Sequence, residues 1–194
     1  LPLFLSMRAA VRAHVEANAV QQQHSEAGRR ERSVAAGDYL AAAIGFLDRP
    51  LPRLVAVGGL SGSGKSTLAG RLTPLIGAAP GARWLRTDVL RKSLAGITPE
   101  ERLPKEAYTR QASAAVYARL LEETRLVLTS GMTVIADGVF ADRIERDTLA
   151  RLAEQMEVPF AGLWLEAPHR TLHDRVGARR GDASDADGSV VDRQ

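Results

Sequence analysis

The run Gly59-Leu60-Ser61-Gly62-Ser63-Gly64-Lys65-Ser66 meets the pattern G-x-x-x-x-G-K-[ST] at every fixed position. A glycine- and serine-rich loop packs little and costs backbone entropy, so something has to compensate for it. Without Cβ atoms the backbone curls until successive N–H groups point inward, and an anion nest forms at a helix N-terminus. Lys65 adds a mobile ammonium that reaches β- and γ-phosphates. The Ser66 hydroxyl suits Mg2+, and Thr67 adds a contact to an α-phosphate. These residue types at this spacing suit the capture of a triphosphate, with Gly59, Ser61, Gly62, Ser63 and Gly64 as the cradle. A flexible glycine–serine turn explains neither the lysine nor the spacing. A dinucleotide fingerprint fails because, after Gly62 and Gly64, its third glycine position falls on Thr67.

Ligands of open α/β sheets gather at the carboxyl ends of strands, and Asp88, Asp137 and Glu166 fall at such ends. Val134–Asp137 is an apolar run that delivers one carboxylate beside the loop, where it suits Mg2+ directly or through water. Asp88 and Arg91 lie three apart on one side of a helix's first turn. Two readings stand there. In one, Thr87 or Asp88 caps the helix. In the other, Asp88 accepts a proton from a substrate hydroxyl and Arg91 clamps the substrate. Arg175, Arg179 and Arg180 end a later helix. They read either as a solvated C-terminus favoured by the helix dipole or as a lid that closes over phosphates. In the lid reading, Asp182, Asp185 and Asp187 pair with these arginines while the lid is open. Arg143 and Arg146 read as the ordinary cations of a water-facing helix. His169 and His173, at i and i+4, read as a surface pair rather than metal ligands.

The elements that must position these groups alternate. Residues 54–57 read as a buried strand, 65–76 as a helix and "ARWLRT" as a short strand. Helices are expected at about 88–95 and over 105–129, the latter stopped by Gly131. "TVIAD" is a buried strand, "DRIERDTLARLAEQM" a helix, "PFAGLWLEA" a strand and "PHRTLHDRVGARR" a helix. Such alternation implies parallel strands with helices on both faces. Ahead of this unit, residues 3–24 read as a helix with Phe4, Met7, Val11, Val15 and Ala19 recurring at helical steps. A polar break, "QQQHSEAGRRERS", precedes a second helix at 34–47 with Tyr39, Leu40, Ala43, Ile44 and Leu47 as its apolar face. Residues 1–50 are therefore a helical hairpin, and "DRPLPR" separates it from a unit that begins near Arg53.

The chain has 194 residues, 45% of them hydrophobic, enough for one well-cored domain with an appendage. Its formal net charge is only +3, so the sequence pI of about 9.7 reflects arginine chemistry and gives no ground for nucleic-acid binding. No cysteine is present, which excludes disulfides, thiolate metal sites and cysteine nucleophiles and fits a cytoplasmic location. No apolar run approaches the length of a membrane span. The chain starts on Leu1 and stops at "SVVDRQ", and the expectation is a piece of a longer protein.

Together, "LVAVGGLSGSGKSTLAGRL", "TDVLRK", "VIADGVF" and "RRGDASDAD" resemble the small-molecule kinases of the P-loop AAA-type group, which are similar to gluconate kinases, chloramphenicol phosphotransferases and zeta toxins. The resemblance spans 53–194. It implies a P-loop NTPase fold, three layers α/β/α around a parallel sheet of kinase-type strand order, with a fifth strand and closing helix expected beyond this segment. It implies ATP and Mg2+ as cofactors and phosphoryl transfer to a hydroxyl of a small-molecule acceptor. By resemblance to chloramphenicol phosphotransferases and zeta toxins, Asp88 acts as base. "DRVGARR" resembles the lid entry of nucleoside monophosphate kinases, which implies adenine contact for Arg175 and phosphate contact for Arg179. "LPLFLSMRAAVRAHVEA" resembles the last helices of an aminoglycoside-phosphotransferase-like domain, so such a domain is the expected N-terminal partner in a bifunctional parent. A second reading makes the kinase-like unit a non-catalytic ATP-binding module that regulates that domain.

Overall fold

The apolar run after Arg53 forms strand β1 (Leu54–Gly59), all six residues of which are buried. It lies inside a four-stranded parallel sheet of order β2-β3-β1-β4, where β2 is Arg83–Arg86, β3 is Val134–Asp137 and β4 is Phe160–Leu165. The computed structural model of the protein describes residues 2–48, 50–178, 183–186 and 188–192. Helices α1 (Pro2–Gln21) and α2 (Glu26–Gly45) precede the sheet. The crossovers contain α3 (Lys65–Leu72), α4 (Thr87–Leu94), α5 (Arg110–Thr129) and α6 (Arg143–Gln155); α7 (His169–Gly177) and α8 (Gly188–Val191) follow β4. The fold is the expected α/β class, with helices on both faces of a parallel sheet and a helical hairpin ahead of it.

Side chains alternate between the two faces of each strand. Leu54, Ala56, Leu85, Val134 and Ala136 face one way, into a core with Val116 and Leu120 of α5 and Leu149 and Ala153 of α6. Val55, Val57, Ile135 and Trp84 face the other way, toward Leu68, Ala69 and Leu72 of α3. The register sets Val57, Asp137 and Arg86 level on three adjacent strands. Asp137 and Arg86 therefore share the α3 face, the face that carries the glycine-rich loop. β4 forms one edge of the sheet, and its residues Phe160, Leu163 and Trp164 are exposed.

Several boundaries differ from the sequence expectation, each for a local reason. The polar break before α2 shrinks to residues 22–25, because the Ser25 hydroxyl accepts from the Gly28 amide at 3.1 Å and starts the helix at Glu26. The segment expected as one helix from 105 splits into a 3-10 turn, Lys105–Tyr108, and α5, whose N-cap Thr109 accepts from the Ala112 amide. The helix after the loop ends at Leu72 and continues as a 3-10 turn through Pro74. In the hairpin, the apolar stripe of Phe4, Met7, Val11 and Val15 is exposed. The buried positions are Ser6, Ala9, Ala13 and Ala43. Small side chains let α1 and α2 approach closely, and the Ser6 hydroxyl donates to the Ala43 carbonyl at 2.7 Å.

By contacts the chain divides into two compact units, one of Leu1–Pro50 with Ala78–Pro80 and one of Leu51–Gly77 with Gly81–Gln194. Among the described residues, no helix is long and apolar enough to cross a membrane.

Candidate active site

The loop between β1 and α3 needs its glycines for two separate reasons. Gly59 has φ +136°, and a Cβ there would lie 2.3 Å from the Leu165 carbonyl oxygen of β4. Gly62 has φ +86°, and its Cβ would lie 2.5 Å from the Leu172 carbonyl oxygen of α7. Both values fall in the left-handed region that side chains resist. The loop thus turns tightly because β4 and α7 press on it. Helix α3 begins at Lys65, so its first-turn amides, which no helix can satisfy internally, open toward the loop. The Ser63 hydroxyl is buried with no hydrogen-bond partner among the described residues. The Lys65 ammonium donates to the Leu60 carbonyl at 2.9 Å and so folds back over its own loop.

Asp137 is 3% exposed. Burial pushes its pKa up; a hydrogen bond with Ser66 and the charges of Lys65 and Arg86 oppose that rise, while Asp88 adds to it. A hydroxyl and a buried carboxylate in contact form an oxygen donor set that fits Mg2+, a cation that takes one or two protein ligands and fills the rest with phosphates and water. Among the described residues no three His, Cys, Asp or Glu side chains converge, so no all-protein cage competes with that arrangement. Two residues that the sequence did not single out complete this corner. The Trp84 indole donates to Asp137 Oδ2 at 3.2 Å. The Arg86 guanidinium lies 3.7 Å from the same oxygen, donates to Ser66 Oγ at 3.4 Å, and stacks 5.0 Å over the Trp84 ring.

On the opposite flank, α4 begins at Thr87 with Arg86 in the N-cap position and no side-chain cap. The cap reading of Thr87 and Asp88 is thereby corrected: both lie inside the first turn. Asp88 is half-buried, and its charge reaches both Asp137 and Tyr108. Arg91 donates to the Ala107 carbonyl at 2.9 Å and to Ser113 Oγ at 3.4 Å, and its guanidinium lies 5.0 Å over the Tyr108 ring. Arg91 therefore shapes this wall as well as charging it.

Behind that wall lies an ion pair absent from the sequence reading. Lys92 is 1% exposed, and its ammonium bonds to Asp185 Oδ1 at 3.0 Å and the Pro99 carbonyl at 2.8 Å. Asp185 Oδ2 accepts from the Leu103 amide at 3.0 Å and the Tyr108 hydroxyl at 2.8 Å. Burial alone would raise the Asp185 pKa; the Leu103 amide, Tyr108 and Lys92 overcome it and hold the carboxyl below its ordinary range. The expected partners of Asp185 are Arg175, Arg179 and Arg180, the last two of which lie outside the described residues; among the described residues it pairs with Lys92. Asp185→Ala strands a buried ammonium, and the expected cost is about 3 kcal/mol of stability in a urea titration. Lys92→Met removes the charge at similar length, and Asp185 keeps two donors, so its cost is expected to be smaller. Because the Asp185 pKa is depressed by folding, this stabilisation is present at neutral pH and is lost as pH falls below the usual aspartate range.

The family description "AAA domain" (AAA_33) matches residues 54–194. The chain belongs to the AAA_33 family. Curated relatives include uncharacterized proteins of Mycobacterium tuberculosis and Mycobacterium bovis, each 34% identical over 192 residues, which is 97% of this chain and 37% of theirs. The chain thus spans little more than a third of the length of these relatives. Among solved structures, a sugar kinase from Janibacter sp. HTCC2649 shares the fold at TM-score 0.51 and 23% identity, over 71% of this chain and 73% of that one. A chain of the Pnkp1/Rnl/Hen1 RNA repair complex does so at TM-score 0.54 and 16% identity, over 76% and 44%. The AAA_33 unit is a P-loop NTPase-like α/β fold.

Within the AAA_33 unit, α7 brings Arg175 to the loop, where its guanidinium donates to the Gly62 carbonyl at 3.4 Å. Arg179, Arg180, Asp182 and Asp187 lie outside the described residues. Arg143 is solvent-facing beside Asp147, whereas Arg146 donates to the Phe140 and Ala141 carbonyls and lies 5.7 Å from the Trp164 ring centroid. Glu166 accepts from the Trp164 indole. His169 and His173 are both exposed, as expected of surface residues, and His169 lies 3.3 Å from Asp192. Trp84 and Arg86, not singled out above, carry a legible signal in the sequence: they alternate with core-facing Leu85 on a strand that ends beside Asp88.

Proposed function

We propose that the AAA_33 unit transfers the γ-phosphoryl group of ATP to a hydroxyl of a small molecule, with Mg2+. The observation that carries this reading is the convergence at one sheet end of the phosphate-type loop, the pair of half-buried Ser66 and buried Asp137, and the half-buried Asp88. Lys65 and the amides of residues 59–67 hold the phosphates. Ser66 and Asp137 would hold the cation, which would offset the charge of the phosphates. Asp88 orients the acceptor hydroxyl and takes its proton, beside a wall of Arg91 and Tyr108. Arg175, from its place on Gly62, stabilises the nucleotide, and the phosphate role of Arg179 rests on the resemblance alone. The fold shared with a sugar kinase supports an alcohol acceptor. By the same resemblance as above, residues 1–50 are read as the end of an aminoglycoside-phosphotransferase-like domain in a longer chain. The greater length of the aligned relatives is consistent with that.

A coupled assay of ADP release, run over sugars, nucleosides and antibiotics, tests the reading. Release is expected to depend on one acceptor class and on Mg2+. Binding of ATP with no acceptor-dependent release over the whole panel would overturn it.

A further inference from the structure

One cation of the chain is already seated on the two side chains assigned to the metal. We propose that Arg86 is a built-in counter-ion for the Ser66–Asp137 pair, competing with the divalent cation and yielding its place when metal and nucleotide enter together. The inference rests on the nucleotide reading of the site and goes beyond it by assigning a residue that no phosphate-loop pattern contains.

The backbone makes the arrangement obligatory. Arg86 and Asp137 are register partners on adjacent parallel strands, so their side chains leave the sheet on one face at one level. The guanidinium then reaches both members of the pair, Asp137 Oδ2 at 3.7 Å and Ser66 Oγ at 3.4 Å. Trp84, two residues earlier and hence on the same face, fixes both ends. Its indole N–H donates to the same carboxylate oxygen at 3.2 Å, and its ring supports the guanidinium at 5.0 Å. A carboxylate with 4% side-chain exposure needs a counter-charge. Lys65 contributes charge as well, but its ammonium is hydrogen-bonded to the Leu60 carbonyl, whereas the Arg86 guanidinium lies against both members of the pair. Arg86 adds to that counter-charge from within the chain.

The same contacts make Arg86 an obstacle to metal. A divalent cation held by Ser66 and Asp137 would lie within a few ångströms of the guanidinium, and like charges so close repel strongly in a poorly solvated corner. Entry therefore requires the guanidinium to leave Ser66. The Arg86 side chain is 18% exposed, enough to give it a route toward water. A triphosphate brings the negative charge that lets both cations be accommodated, so metal binding becomes conditional on nucleotide.

Calorimetry with ADP, in excess Mg2+ and in EDTA, gives a ratio of affinities that reports what metal adds. Arg86→Gln, which keeps a donor for Ser66 and removes the charge, is expected to raise that ratio about 10-fold. Arg86→Lys, which restores the charge, is expected to return it toward the wild-type value. A purely structural role for Arg86 would move melting temperature without moving the ratio. A second measurement needs no change at Arg86. The chain has two tryptophans, and in Trp164→Phe the remaining one, Trp84, is expected to shift its emission on adding Mg–ADP but not ADP with EDTA. An unchanged or lower ratio in Arg86→Gln, or identical Trp84 emission in both titrations, would overturn the proposal while leaving nucleotide binding intact. If no form takes up ADP with or without metal, the nucleotide reading itself falls and this inference falls with it.

Discussion

Lys65→Ala is expected to weaken Mg–ATP binding about 100-fold, the scale for truncating one partner of a close charge pair, while adenosine binding stays nearly unchanged. Bonded to the Leu60 carbonyl at 2.9 Å, the Lys65 ammonium closes the loop on itself and must exchange that neutral acceptor for phosphate oxygens when nucleotide arrives. The exchange is favourable because charge-assisted contacts to phosphate are about twice as strong as a bond to a neutral carbonyl. Removing the side chain loses both partners. The loss of the Leu60 bond costs only about 1 kcal/mol of stability, so the folded unit persists and its nucleotide affinity can be measured. Calorimetry with ATP, ADP, AMP and adenosine separates the contributions. The decrement should be largest for ATP and should fade at AMP, since the lysine serves the β- and γ-phosphates. Equal losses for all four ligands would mean that Lys65 supports the loop and does not touch phosphate.

The parts of this site that the sequence announced are those fixed by local chemistry. A strand buried on both faces must be a near-continuous apolar run, and residues 54–57 and 134–136 are such runs. The tight turn at Gly59 and Gly62 leaves its mark as glycines at fixed spacing. What the sequence hid depends on register and on pairing at a distance. Trp84 meets Asp137 across 53 residues and Leu103 meets Asp185 across 82, and no window along the chain contains either pair. Lys92 was invisible for another reason: a lysine reads as solvated, and only a carboxylate 93 residues away makes its burial tolerable. The hairpin shows the opposite error. Its large apolar residues recur with helical spacing, yet Ser6, Ala9 and Ala13 are the buried face, because two helices that approach closely select small side chains over large ones.

Asp88→Asn is expected to lower acceptor-dependent turnover by about 100- to 10,000-fold, the range for losing a general base, with the KM for ATP little changed. Three features of its position lead there. The residue lies in the first turn of α4, where the helix dipole favours a negative charge. It does not cap that helix, so its carboxylate is not spent on holding the backbone. Its charge acts on Asp137 and on Tyr108, and so bears on both the candidate metal pair and the candidate acceptor wall. Asparagine preserves the shape and a hydrogen bond to a hydroxyl but cannot accept its proton, so the substitution isolates proton acceptance from positioning. An ordinary carboxylate suffices for that task, because phosphoryl transfer through a loose transition state develops little demand for a strong base until the new bond forms. Full turnover by Asp88→Asn would move the base elsewhere on the sheet edge; loss of ATP binding with turnover would mark Asp88 as a scaffold for the nucleotide instead.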